Sequence, residues 1–459
     1  MAACSFDRMA EDQTITFLEK GDGAAPCLLD DTMSDWLTYG QLKERVSGWR
    51  RRLDGRRALV FLYAQNDVES VAALFGAMSA GHAVALLDPK LPTSGKEALQ
   101  SAYTPEFVIN SGVLTDTSQA APVNGPLNEK LSLLLSTSGS TGSPKFVRLT
   151  LPNIVSNAFA ISDVLAIESD SVASGHLPLH YSFGLSVLTS HLISGARVYL
   201  TNSSFLDRDF WKRAKDAGIS HLPGVPFHYS ILEKLGYSRL DLPRLQCMVQ
   251  AGGQLDVASR QRAYTYMQES GGRFYVMYGQ TEAGPRMTTL QHRDFPLAPE
   301  SVGTPLPGGK ITINAVDGSG SGEVLYTGPN VCMGYAEGRD DLAAGDVFNH
   351  VLHTGDMGYL DQAGRLTLTG RAKRSAKVFG LRVNLDEVEK LGNTLCESAV
   401  IGSCAKLHIF HVGGSVDVLR ALLISHFSLP PTSYVFHPID ELPRSERGKI
   451  DYTALESLA

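Results

Sequence analysis

Short, continuously apolar runs alternate with segments of helical spacing through the first part of the chain. Residues 58–63 read A-L-V-F-L-Y, the pattern of a strand buried on both faces. Residues 67–80 follow, with Val68, Val71, Ala72 and Phe75 on one helical face, Asp67 placed as N-cap and Gly81 as the stop. Residues 82–87 (H-A-V-A-L-L) read as the next strand, closed by Asp88 and Pro89. This β-α-β rhythm is the signature of a parallel sheet covered by helices.

The rhythm recurs as a strand at 131–135, a helix at 153–166, a strand at 197–200, a helix at 212–218 and a short strand at 220–222. From about residue 301 the texture changes. Gly and Pro become dense, and short strands at 310–313, 322–325 and 365–368 predict a smaller antiparallel β unit. A charged segment at 370–377 (G-R-A-K-R-S-A-K) precedes a compact α+β pattern that runs to the end. The pattern divides the chain into a body, residues 1–371, and a tail domain, residues 372–459. It contains no internal repeat.

Composition narrows the class. The 459 residues leave room for two or three domains, and 43% hydrophobic with 19% charged residues is an ordinary globular balance. A net charge of -7 gives no support for a nucleic-acid partner, and the basic cluster at 49–57 reads as a solvated helix end. Six scattered cysteines form neither a C-x-x-C pair nor a zinc spacing, which points to a reducing compartment. The N-terminus lacks the apolar run of a signal peptide, and no run of about 18 apolar residues occurs anywhere. The expectation is a cytoplasmic protein with no membrane partner.

One stretch stands apart. Residues 135–145 read L-S-T-S-G-S-T-G-S-P-K after an apolar strand. Such a loop can turn several backbone N–H groups into one concavity that binds anions, with Lys145 adding a mobile positive charge. It is not a Walker loop, because Pro144 precedes the lysine and Phe146 follows it. Alone, it reads equally as a surface linker or a phosphate nest. Four further stretches follow in order: Y-G-Q-T-E at 278–282, T-G-D at 354–356, G-R-A-K-R-S-A-K-V-F-G-L-R-V-N-L-D-E-V-E at 370–389, and P-R-S-E-R-G-K at 443–449.

With the loop, this ordered set resembles the adenylate-forming superfamily of acyl-CoA synthetases, peptide-synthetase adenylation domains and luciferases, over roughly residues 28–455. The resemblance implies an α/β fold: a large N-terminal domain of two α/β layered subdomains plus a small β-barrel, then a small mobile α+β C-terminal domain. It implies two half-reactions. ATP, with Mg2+, and a small or medium carboxylic acid give an acyl-adenylate and pyrophosphate. A thiol, of CoA or of a phosphopantetheinyl carrier protein, then displaces AMP.

By the same resemblance, Thr137, Ser138, Gly139, Ser140, Thr141, Gly142 and Lys145 would cradle the phosphates. Ala251, Gly252 and Gly253 would lie along the adenine, and Tyr278, with Gly279 and Gln280 beside it, would stack on it. Thr281 would bond the α-phosphate, Glu282 would hold the metal, Asp356 would take the ribose hydroxyls, and Arg371 would support them. Lys449 would be the catalytic lysine, Lys373 the hinge, and Gly380 a lining residue of the thiol path. Tyr181, Phe183, Gly184, Phe227, His228 and Met277 would border the acyl pocket, where Arg286 would meet an anionic substituent; Phe183, Phe227 and His228 read equally as core residues.

The chain departs from the pattern in four places. Phe146 stands where a glycine is usual after the loop lysine, and Lys373 and Arg374 stand where an acid is common after G-R-x. Residues 178–184 read P-L-H-Y-S-F-G, so Tyr181 takes a position often held by histidine. The span from Glu389 to Pro443 is short for the family. Tyr181 and the short tail keep a second chemistry open, adenylation of nitrite to diazotise an arylamine, as in members from secondary metabolism. A third class, a phosphate-loop kinase or a nucleotide-binding regulator, rests on the loop alone.

Overall fold

The computed structural model describes residues 13–117, 125–136, 145–314, 320–371, 374–378, 381–403, 406–427, 429–444 and 448–459. Its strands fall where the apolar runs predict them. The runs at 58–63 and 82–87 are the strands Leu59–Tyr63 and Ala83–Leu87, paired in parallel. Between them lies the helix Val68–Ser79, whose N-cap Asp67 accepts a 2.7 Å hydrogen bond from the amide of Ser70.

Two sheets carry the first unit, which comprises Met1–Pro299, Gly303–Lys310 and Thr327–Leu352. In one, six parallel strands lie side by side: Arg273–Tyr278, Cys247–Gln250, His221–Gly224, Val172–Gly175, Arg197–Leu200 and Pro26–Leu29. Antiparallel strands extend both edges to nine in all. In the other, Leu131–Ser136, Ala83–Leu87, Leu59–Tyr63 and Phe107–Asn110 run parallel within a seven-stranded sheet.

One hydrophobic core joins both sheets: Leu28, Val198 and Val249 from the first, Val60, Leu62, Val84 and Leu133 from the second. The helices Val68–Ser79 and Ser182–Leu192 supply the layer between. All eleven residues of Ser182–Leu192 are buried, so it has no polar face and no amphipathic signal to read. Hence the sequence pattern assigns no helix there. The helix expected at 153–166 begins earlier, as Leu151–Leu165, because Thr150 and Asn153 form a reciprocal capping box. The helix expected at 212–218 is Arg208–Asp216, anchored by buried Phe210 and Ala214.

Two charged groups buried in this unit hold the segment near 333–345. Arg148 is 1% exposed and donates to the carbonyls of Met333, Ala344, Gly345 and, at 3.0 Å, Tyr335. Arg339 meets Glu106 in a two-point pair at 2.6 and 3.1 Å.

The second unit comprises Glu300–Val302, Ile311–Tyr326 and His353–Ala459. Its tail holds the three-stranded sheet Glu397–Ser403, Lys406–Val412 and Tyr434–Ile439, with the helices Leu385–Gly392 and Val416–His426 packed through Val388, Leu419 and Leu423. Most of the four-stranded sheet Lys310–Asn314, Gly322–Thr327, Val351–Leu360 and Leu366–Arg371 groups with this tail. Among the described residues no helix is long and apolar enough to cross a membrane, and Cys27, Cys247, Cys332 and Cys396 are free thiols.

Candidate active site

Four neighbouring parallel strands of the nine-stranded sheet end at one level, where Gly224 pairs with Gln250 and Gln250 with Val276. From their carboxyl ends issue the segments singled out by sequence. Val172–Gly175 leads to Tyr181 and Phe183, His221–Gly224 to Phe227 and His228, Cys247–Gln250 to Ala251–Gly253, and Arg273–Tyr278 to Gly279–Glu282. Loops beyond the carboxyl ends of parallel strands are where open α/β sheets bind ligands.

Two glycines here are dictated by space. Gly252 has φ +79, and a Cβ on it would lie 2.5 Å from the Tyr181 hydroxyl oxygen. A Cβ on Gly279 would sit 1.8 Å from the carbonyl oxygen of Pro285, so only glycine lets the returning chain cross. Ala251 is buried, with its amide bonded to Gly224 O, and Gly253 O accepts from the Gln250 side chain at 2.8 Å. Tyr278 is part-buried, and its carbonyl accepts from the amide of Met287.

Thr281 and Glu282 open the short turn Thr281–Ala283. The Thr281 hydroxyl lies 3.1 Å from that of Ser182, the first residue of the buried helix. Asn330 donates to the carbonyls of Ala283 at 2.5 Å and Arg286 at 3.3 Å, and Asn157 donates to Arg286 O at 2.7 Å. These buried amides fix the turn from behind.

Glu282 Oε1 accepts a 2.9 Å hydrogen bond from the Tyr335 hydroxyl. Among the described residues Oε2 accepts none, which leaves a carboxylate oxygen for a hard cation such as Mg2+. No cluster of three or more His, Cys, Asp or Glu suited to a metal occurs among the described residues. Lys145 reaches the same place: its Nζ stands 3.7 Å from the centre of the Tyr335 ring and 3.8 Å from Glu337. Tyr335 therefore links the lysine at the foot of the loop to the expected metal ligand. No sequence signal marks Tyr335, Asn157 or Asn330, and Ser182 lies within the stretch 178–184 without a role assigned to it there.

The side expected to border the acyl group is aromatic and cationic. Tyr181, Phe183 and Met277 are buried, Gly184 lies in the first turn of the buried helix, and Phe227 is 45% exposed. His228 caps its own helix through Nδ1, which accepts from the amide of Val225 at 3.2 Å, and desolvation pushes its pKa down to about 4. Arg286 is 2% exposed. Its guanidinium lies 4.6 Å from the centre of the Phe183 ring, its Nη1 is 3.0 Å from Met277 Sδ, and its Nε has no partner among the described residues.

Three expected residues lie in the second unit. Asp356 is 5% exposed and pairs across the strands with Arg371, whose Nε donates to Oδ1 at 2.9 Å. Lys449 is part-buried, beside Gly448, whose carbonyl accepts from Arg444 at 2.8 Å. Thr137, Ser138, Gly139, Ser140, Thr141, Gly142, Lys373 and Gly380 lie outside the described residues.

Residues 19–336 match the family model of AMP-binding enzymes. The chain is 26% identical to the 2-succinylbenzoate–CoA ligase of Lactococcus lactis over 443 residues, 90% of this chain and 94% of that protein. It is 28% identical to that of Bacillus cytotoxicus over 466 residues, 92% and 93% of the two chains. In fold it resembles the o-succinylbenzoate CoA synthetase of Bacillus subtilis solved with an acyl-adenylate intermediate (TM-score 0.81, 20% identity, 97% of this chain and 98% of that one). It is similarly close to ATP-bound MatB from Rhodopseudomonas palustris (TM-score 0.81, 19% identity, 97% and 98%).

Proposed function

We infer the chemistry from one premise: the chain belongs to the AMP-binding enzyme family. It is an adenylate-forming ligase that activates a carboxylic acid with ATP and passes the acyl group to the thiol of CoA. The observation that carries this reading is the convergence of the four loops at the carboxyl ends of adjacent parallel strands, with Glu282 and Lys145 drawn together through Tyr335 and Thr281 next to Glu282 in the same short turn.

The chemistry is set by charge. A carboxylate must approach the α-phosphorus of a polyanion, so donors and cations must offset the repulsion and the charge that develops. The acid's oxygen attacks the α-phosphorus, the bond to the β-phosphate oxygen breaks, and pyrophosphate leaves. Thr281, held by Ser182, donates toward the α-phosphate. Glu282, oriented by Tyr335, holds Mg2+, which offsets phosphate charge when bound. Lys145 and the loop of Thr137, Ser138, Gly139, Ser140, Thr141 and Gly142 steady the leaving phosphates, as an anion nest would.

In the second unit, Asp356 accepts from the ribose hydroxyls, braced by Arg371, and Lys449 bridges the carboxylate and the α-phosphate. Lys373 serves as the hinge of a tail beginning at residue 372. In the second step the thiolate sulfur attacks the acyl carbon, the bond to the phosphate oxygen breaks, and AMP leaves.

Pyrophosphate release is the test, run with a panel of acids and with CoA, a carrier protein and nitrite plus an arylamine as separate arms. AMP and pyrophosphate formed with an acid and CoA are the expected products. Nitrite-dependent release with no acid accepted, or ADP as the product, would overturn the reading.

A further inference from the structure

Arg374 departs from the family pattern, and the mechanism above does not use it. It stands at the start of the tail domain, next to the expected hinge residue Lys373. Its side chain is mostly buried and forms an ion pair with Asp386. One terminal nitrogen donates to Glu389 Oε2 at 2.9 Å and to the carbonyl of Val400 at 3.1 Å. The guanidinium carbon lies 3.8 Å from the centre of the Tyr452 ring.

Glu389 joins this arginine to the end of the chain. Its Oε2 also accepts from the amide of Val400 at 2.9 Å, and its Oε1 accepts from the Tyr452 hydroxyl at 2.7 Å. Tyr452 opens the last helix, Tyr452–Glu456, three residues after Lys449. The residues between are held as well. Ile450 bridges Arg444, and the amide of Asp451 donates to Pro443 O at 2.8 Å while its carboxylate caps the helix. All of these residues belong to the second unit.

The tail has apolar cores apart from this network. Val388, Val400 and Leu419 pack on one face of its sheet, and Ala399, Ile401, Phe410 and Leu455 on the other. A buried ion pair adds little stability over packed apolar side chains, because desolvation offsets its attraction. What it adds is direction, since charge-assisted hydrogen bonds hold their groups at set distances and angles. Here the bonds run from the residue beside the expected hinge to the segment that carries Lys449.

We propose that Arg374 is a positioning residue for adenylation: through Glu389 and Tyr452 it fixes the segment bearing Lys449 to the start of the tail domain. The proposal rests on the adenylating reading and on the bridging role given there to Lys449. Misplacing a reacting group by about 1 Å costs on the order of 100-fold in rate, so the frame that holds this lysine bears directly on the first half-reaction. The second half-reaction starts from the finished acyl-adenylate, after the bridge has served.

The two half-reactions separate positioning from folding. Pyrophosphate exchange with the acids that the native chain accepts measures the first. Thioester formation from the purified acyl-adenylate and CoA measures the second, and equilibrium ATP binding is followed beside them. In Arg374→Met, exchange should fall about 10- to 100-fold, with ATP affinity and thioester formation each within about threefold of native. Arg374→Lys keeps the charge without the fork and should exchange at least about threefold faster than Arg374→Met. Tyr452→Phe keeps the ring but loses the bond to Glu389, and should lower exchange by about 3- to 10-fold. In a Lys449→Ala background, Arg374→Met should change exchange by less than about twofold, because a positioning residue acts only through the lysine. Native exchange in Arg374→Met, an equal loss of both half-reactions, or a further loss on top of Lys449→Ala would overturn the proposal. If Arg374→Met does not fold, Tyr452→Phe decides by the same comparison. Native exchange in Lys449→Ala would remove the role of that lysine and the proposal with it. A folded native chain that exchanges pyrophosphate with no acid at all would instead overturn the adenylating reading on which both rest.

Discussion

Two lysines in the motif set answer to different environments. Lys145 is pinned near the Tyr335 ring and Glu337, in the same unit as Thr281 and Glu282, which suits holding phosphates in place. Lys449 is part-buried in the other unit, on the stretch between Arg444 and Ile450. If Lys449 bridges the reacting groups, Lys449→Ala should lower adenylation by about 100- to 1,000-fold, as loss of one transition-state donor does, and leave ATP affinity within about threefold. Pyrophosphate exchange and equilibrium ATP binding measure the two separately, and an unchanged exchange rate would remove the assigned role. Side chains with a motif around them could be singled out at this scale: Thr281, Glu282 and Asp356 take their expected roles from the family resemblance that the ordered motifs carry. Ser182 lies inside the stretch 178–184 but takes no role from it, and Tyr335, Asn157 and Asn330 lie in no motif. Their importance comes from distance in space, and one hydroxyl or amide in an ordinary stretch carries no pattern.

Elements were readable where a strand or helix had a cap, a stop or a clean apolar run, as with Asp67 before Val68–Ser79. They were not where burial on every side erased the periodicity, as in Ser182–Leu192. Phe146 shows the same limit. In the sequence it is only an odd residue after the loop lysine. In the structure it is 1% exposed and starts the strand Phe146–Thr150, paired with Ser136 on one side and Ala336 on the other. Its ring packs 4.9 Å from that of Tyr103, in the cluster with Leu87 and Leu134. The bulk therefore serves the seven-stranded sheet. Phe146→Ala should cost about 3–5 kcal/mol of stability, the usual penalty for a buried aromatic truncated to a cavity. Urea unfolding followed by tryptophan fluorescence would measure it. A loss below about 1 kcal/mol would show that the strand does not depend on this ring.

At the scale of the molecule, the β-α-β rhythm predicted parallel sheet covered by helices, but its division into two sheets and the order of neighbouring strands were beyond it, because parallel order depends on crossovers rather than local pattern. The desolvation of His176, His191, His221 and His228 in the larger unit was equally hidden. His176 and His191 have their pKa lowered well below the ordinary value by desolvation, and His221 and His228 are pushed down to about 4. The rings meet in pairs, His176 with His228 at 4.7 Å and His191 with His221 at 5.1 Å, so protonating one member also raises the cost of protonating the other. A depressed folded pKa means the unfolded chain binds the proton first. The stability these groups contribute is fully present above the unfolded value of 6.5 and is lost as pH falls toward about 4. At about pH 5 each such histidine removes about 2 kcal/mol, since each unit of difference in that window is worth about 1.4 kcal/mol. Carboxylates do not mask the effect, because most titrate below that window. Urea midpoints should therefore fall steeply between about pH 7 and pH 5, and His221→Gln should flatten the slope by about the share of one histidine. A stability that stays level over that range would mean that these rings take up protons as readily in the folded protein as in the unfolded chain, and the neutral pairs would have to be abandoned.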